Sequence, residues 1–267
     1  MGRIHLFEFT DLSWYPQIFR RMQTDYLQFV GTQGSAHQIL LPLLQKAMQH
    51  AGTTEIVDLC SGGTGPWRRL QELFEQDGWR VSIKLTDKYP NPEAMQKWAD
   101  AAQAGIEYLS EPVDALQVPD HLKGMRTLFE GFHHFRPEQA RAILQDALEK
   151  RAAIGVFEIS LKPPFQVPLL LLSPLMTLVS YVLLTPFIKP HTWWRFLWTY
   201  LLPVVPLATC WDGVVSLLRV YGQRDLQELT EPMQRDGYTW EIGLASTGTP
   251  IFEYTYLLGY PSGGAGV

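Results

Sequence analysis

Apolar positions along this chain repeat in two rhythms, and the rhythm changes at glycines and prolines. Phe19, Met22, Tyr26 and Phe29 recur at three- and four-residue steps behind Pro16, which predicts an amphipathic helix. A second helix is expected over Gln38 to His50, stopped by Gly52, and a third over Trp67 to Phe74. A fourth runs from Glu138 to Lys150 behind Pro137, and a last one from Asp225 to Arg235, ended by Gly237. Between them lie short strand-like runs: Ile56-Val57, Val81 to Thr86, Ile106 to Leu109, Arg126 to Glu130 and Ile154 to Ile159. Strands that alternate with helices predict a mostly parallel α/β sheet. Tyr238 to Ala245 and Ile251 to Gly259, joined by S-T-G-T-P, predict a closing hairpin.

One segment follows neither rhythm. Phe165 to Ile188 and Phe196 to Trp211 carry no charged residue, and Lys189, His191, Trp193, Trp194 and Arg195 lie between them. A bilayer span needs about 20 apolar residues, so the first run is long enough and the second marginal. Pro168, Pro174, Pro186, Pro203 and Pro206 are expected to interrupt both. Three arrangements are open, in this order: an apolar hairpin lying in one leaflet, a soluble cap over a greasy substrate or dimer interface, and a spanning hairpin. Tryptophans beside Lys and Arg suit a membrane–water interface.

Composition narrows the partners. The chain has 267 residues with a net charge of −5, which does not suggest a nucleic-acid partner. Its two cysteines, Cys60 and Cys210, lie far apart, and neither a zinc spacing nor a disulfide framework is expected. They fit a reducing compartment. The N-terminal residues have no signal-peptide pattern, so the expectation is a cytoplasmic protein, peripheral or monotopic at the cytoplasmic face of the membrane.

Chemistry concentrates after the first strand, in E-I-V-D-L-C-S-G-G-T-G-P-W from Glu55 to Trp67. Glycine permits positive φ and close approach of a ligand, and a following helix offers free N–H groups. The acid Asp58 stands before the glycines, whereas dinucleotide loops carry theirs about 20 residues later. This stretch resembles motif I of the class I S-adenosylmethionine-dependent methyltransferases, D/E-x-G-x-G-x-G. It departs twice: Cys60 replaces the first glycine, and the loop is one residue longer.

The resemblance implies a Rossmann-like, seven-stranded, mostly parallel sheet with an antiparallel C-terminal hairpin, here with an apolar helical insertion after strand five. The expected domains are N-terminal helices or a lid (1–52), the cofactor-binding α/β domain (53–162 and 213–260), the insertion (163–212) and a disordered tail (261–267). It implies S-adenosyl-L-methionine as cofactor, with no metal needed. Asp58 would sit near the methionine end, and the backbone of Cys60, Ser61, Gly62, Gly63 and Gly65 against it. Asp87 would accept from the ribose hydroxyls. Asp114 would receive the adenine amino group, with the Ala115 N–H at a ring nitrogen. Turn and helix-cap roles remain open for both acids. Glu130 is a candidate to face the methyl donor. His133 and His134, in G-F-H-H-F-R-P, are candidate general bases because imidazole titrates near neutrality, and a structural role is equally open. The activity implied is methyl transfer to a lipophilic small-molecule acceptor. The alternatives are a non-methylating cofactor-binding scaffold and a membrane-associated interaction protein. A nicotinamide dehydrogenase is disfavoured by Asp58 and by the closing hairpin.

Overall fold

The computed structural model describes residues 3–31, 36–62, 65–90, 95, 96, 98, 105–163 and 165–262. Gly63 and the tail after Ser262 therefore lie outside the described residues. The chain forms two compact units. One, the sheet unit, comprises Ser35–Ile159 and Tyr221–Val267; the other, the helical unit, comprises Met1–Gly34 and Ser160–Val220.

In the sheet unit, β1 (Glu55–Asp58), β2 (Ser82–Leu85), β3 (Ile106–Tyr108), β4 (Met125–Phe129) and β5 (Ile154–Leu161) lie parallel. The last two strands, β6 (Tyr238–Ser246) and β7 (Phe252–Pro261), form an antiparallel hairpin. The order is β3-β2-β1-β4-β5-β7-β6. This is the seven-stranded, mostly parallel sheet with an antiparallel C-terminal hairpin that the resemblance implied, a class I methyltransferase fold. Chain order reverses between β1 and β4, so their loops flank the crevice where open α/β sheets bind ligands.

Each face of the sheet has its own apolar cluster. On one, Leu44 and Met48 of α2 (Leu41–Ala51) and Leu70 and Phe74 of α3 (Trp67–Gln76) join Ile56, Ile83 and Leu258. On the other, Ile143, Leu144 and Ala147 of α4 (Pro137–Glu149) join Val57, Leu128 and Val156. The helix before β6 ends early. Gln223–Thr230 is α-helical, but Pro232 cannot supply the next N–H, and Glu231–Met233 tightens into a 3₁₀ turn. Pro261 is the final residue of β7 and not part of a loose tail.

The helical unit contains α1 (Gln17–Gly31), α5 (Gln166–Leu184), α6 (Trp193–Phe196, continued by a π turn to Leu201) and α7 (Val204–Arg219). Pro174 does not interrupt α5, contrary to the sequence expectation. The break falls at Leu202-Pro203, where the paths of α6 and α7 differ by 73°. Of the N-terminal helices, α2 joins the sheet core, while α1 packs Met22 and Tyr26 on Tyr181, Ile188 and Val205. Helix α7 runs unbroken to Arg219, so the insertion extends to Val220 and not to residue 212.

Gly124 turns the chain into β4 at φ +123°, and a Cβ there would lie 2.5 Å from the Glu55 carbonyl oxygen. Both the backbone angle and the clash exclude a side chain. Gly124→Ala is expected to lower the unfolding free energy by at least about 2 kcal/mol in urea denaturation; an unchanged midpoint would contradict this packing.

Candidate functional site

The loop after β1 turns sharply because it alternates handedness. Cys60 (φ +58°), Gly62 (+54°) and Gly65 (+52°) are all left-handed. For cysteine this conformation is strained by roughly 1–2 kcal/mol. Glycine is required at Gly62 by backbone angle alone, since a Cβ there would meet nothing within 4 Å. At Gly65 a Cβ would also press on the Trp67 ring at 3.0 Å.

Asp58 holds this loop. It is 2% exposed, and its two oxygens accept hydrogen bonds from Ser61 Oγ at 2.6 Å and Thr127 Oγ1 of β4 at 2.7 Å. Thr86, just past β2, donates both its N–H (2.9 Å) and its hydroxyl (2.8 Å) to the Asp58 carbonyl. The Asp58 carboxylate is thus turned into the protein and ties β1 to β4, while its carbonyl holds the end of β2. Burial pushes its pKa up to about 6 despite the hydrogen bonds from Ser61 and Thr127. Ser61 is likewise buried, and its own N–H donates to the Thr86 carbonyl at 2.9 Å.

Asp87 stands at the tip of β2, half-buried. One oxygen accepts the Gly62 N–H at 2.9 Å and the other the Tyr89 N–H at 2.8 Å. Burial raises its pKa, and those N–H bonds oppose the shift. The Tyr108 hydroxyl donates to the Gly62 carbonyl at 2.9 Å, so Gly62 is held from both sides. Asp114 accepts the Leu116 N–H at 3.0 Å and pairs with Lys88 at 2.7 Å. Burial would raise its pKa, but the Lys88 ammonium draws it below the usual carboxylate range. Ala115 is buried against the β4–β5 face of the core. The thiol of Cys60 is pushed up by burial and then by the charges of Asp87, Asp58 and Asp114. A half-buried carboxylate such as Asp87 can accept from a ligand's hydroxyl groups.

Glu130 leaves β4 at φ +50°, another left-handed non-glycine residue. Its side chain is exposed. Strain of this kind gathers at functional sites. The histidine motif follows. Glu158 Oε1 accepts the N–H groups of Phe132 (2.7 Å) and His133 (3.1 Å), while Oε2 meets His133 Nδ1 at 2.6 Å. Burial would raise the Glu158 pKa, but the His133 charge and hydrogen bonds outweigh it and lower it. A carboxylate on Nδ1 fixes the tautomer and leaves Nε2 as the basic nitrogen. The His134 ring lies on that of His133 with centroids 4.3 Å apart. Sequence reasoning missed Glu158. Its signal was one charged residue inside the buried run I-G-V-F-E-I.

The structure therefore brings together Asp58, Cys60, Ser61, Gly62, Gly65 and Asp87, with Asp114 beside them, and separately joins His133 to Glu158. Gly63 falls outside the described residues. No family model matches the chain, and no curated protein matches it. Solved structures resemble it at low identity. LepI in complex with SAM is 18% identical, over 81% of this chain and 46% of that one, with a TM-score of 0.44. Human N-acetylserotonin methyltransferase in complex with SAM is 13% identical, over 91% and 57%, with a TM-score of 0.47. Magnesium protoporphyrin IX methyltransferase from Synechocystis PCC 6803, with bound SAH, is 13% identical, over 84% and 83%, with a TM-score of 0.44. The chain spans about half the length of the first two. At these distances the fold assignment rests on the strand order above.

Because burial raises the Asp58 pKa, the folded chain holds that proton more tightly than the unfolded chain. The resulting stabilisation is complete below about pH 4 and is lost as pH rises through about 6. Asp58→Asn removes the titration. Its stability relative to the native chain is expected to rise by up to about 3 kcal/mol between pH 4 and pH 7.5 in urea denaturation. A pH-independent difference would contradict the assigned burial.

Proposed function

We propose that this chain is an S-adenosylmethionine-dependent methyltransferase acting on a lipophilic small molecule, with a membrane surface as a further partner. The observation that carries this reading is the meeting of Gly62, Asp87 and Asp114 at the tips of adjacent parallel strands, beside a left-handed glycine loop. Asp87 keeps acceptor lone pairs beyond its two N–H bonds, and these suit paired ribose hydroxyls. Asp114 receives an adenine amino group once Lys88 releases it, with the Ala115 N–H at a ring nitrogen. The backbone of Cys60, Ser61, Gly62 and Gly65 lies along the methionine end, and Asp58 holds its start through Ser61. Glu130 faces the methyl donor.

The cofactor supplies a methyl group on a sulfonium, already a good leaving group. The protein aligns the acceptor, excludes water and takes up a proton where the acceptor loses one. His133, oriented by Glu158, suits that last task through Nε2, and His134 is the neighbouring alternative. The lipophilic character of the acceptor is supported by the exposed apolar surface of the helical unit in the same chain.

Calorimetric titration with S-adenosylmethionine is expected to give saturable binding, with a nicotinamide dinucleotide giving none. Asp87→Ala should weaken binding at least about tenfold, in keeping with the loss of charge-assisted hydrogen bonds. Transfer of radiolabelled methyl to a lipid extract tests the activity itself, and binding without transfer would favour a non-methylating scaffold. Glu158→Gln should lower kcat about a hundredfold and move the acidic limb of the pH profile while leaving cofactor affinity intact. An unchanged profile removes His133 from proton transfer.

A further inference from the structure

The helical unit exposes large apolar side chains that a water-soluble surface would hide. On α5, Leu171, Leu175, Val179 and Leu183 recur every four residues and are 74%, 61%, 47% and 64% exposed. Over Gln166–Phe187 the mean hydropathy of the best window is 2.1, with 6% of that window buried. Trp193 and Trp194 stack at 3.5 Å, next to exposed Lys189, and both are exposed.

Several hydroxyls of this segment bond back to its own backbone. Ser173, Thr185, Tyr200 and Thr209 each donate a hydroxyl to a backbone carbonyl of the same unit, at 2.9, 2.7, 2.8 and 2.8 Å. The Cys210 thiol donates to the Pro174 carbonyl at 3.1 Å. A protein partner forms about one hydrogen bond per 100–200 Å² across an interface and needs polar groups facing outward. Lipid demands the reverse, since hydrocarbon satisfies no donor.

The charges set the depth. Helix α1 lies against the C-terminal half of α5, where the Tyr181 hydroxyl donates to the Met22 carbonyl at 3.2 Å and the Tyr26 and Tyr181 rings lie 4.5 Å apart. On α1, Asp25 pairs with buried Arg195. Near the other end of the unit, Arg219 pairs with Glu8 and Asp11, both at 2.7 Å, and Asp212 accepts the Phe9 N–H at 2.7 Å. A span made by α5 would draw the charged α1 into hydrocarbon with it.

We propose that the helical unit is a monotopic membrane anchor. Its α5 face lies in the plane of one leaflet, Trp193 and Trp194 sit at headgroup depth, and the ion-paired side stays out of the hydrocarbon. This deepens the membrane partner named above and does not depend on methyl transfer. Helix α5, about 28 Å long by helical rise, lies along the leaflet and does not cross it.

The test is flotation of the full chain with vesicles of phosphatidylcholine and phosphatidylglycerol at 3:1. The native chain should float with the vesicles, and a Leu171→Glu, Leu175→Glu double variant with unchanged circular dichroism should do so at least about tenfold less. Tryptophan fluorescence of the native chain provides a measurement without substitution: lipids brominated near the headgroup should quench more than lipids brominated deep in the chain. Lys189→Cys, in a Cys60→Gly, Cys210→Ala background, should react with an impermeant maleimide added outside. Protection of that cysteine until the vesicles are lysed would mean spanning and overturn the proposal. A native chain that stays out of the vesicle fraction, whether monomer or dimer, would overturn it as well.

Discussion

A single buried carboxylate sets the geometry on which the candidate site depends. Asp58 ties the end of β1 to β4 through Thr127 and to its own loop through Ser61, while its carbonyl fastens the end of β2 through Thr86. An unpaired carboxylate in that position would be strongly unfavourable, so its hydrogen-bond partners are nearly compulsory. Once they are satisfied the loop has little freedom: Ser61 is pinned, Gly62 meets Asp87, and Cys60 accepts a left-handed conformation. The strain at Cys60 is sustained by the network around it.

The same principle acts on the other side of the crevice. Glu158 in β5 gathers the two N–H groups that open the Phe132–His134 turn and then holds His133 through its ring. In both places a buried acid on a rigid strand organises a loop whose side chains or backbone are available for chemistry. Strands position more reliably than loops, and charge-assisted hydrogen bonds transmit that rigidity.

The two units satisfy the hydrophobic effect in different ways. The sheet unit buries its apolar residues on both faces of a parallel sheet, as helices on each side require. The helical unit has only a small internal cluster and leaves most of its apolar surface outward, while its ions are paired inside. Such a surface is what the membrane anchor proposed above would use.

The strand–helix alternation, the glycine loop, the acids at Asp58 and Asp87, the histidine pair and the apolar insertion were all legible in the residues. They are local patterns, and a period or a turn residue expresses itself within a few positions. The sequence marked Pro174 as a break, but α5 continues through it, because packing against α7 retains the helix where propensity alone would end it. Nor could spacing reveal that Asp58 turns inward, that Lys88 takes Asp114 or that Glu158 orients His133, since the partners of Asp58, Asp114 and His133 lie up to 69 residues away. The sequence by itself determined which elements form and which residue types stand at their ends. Only the tertiary structure decided which acids face the crevice and which brace it, because that choice depends on burial and on hydrogen bonds between strands distant in the chain.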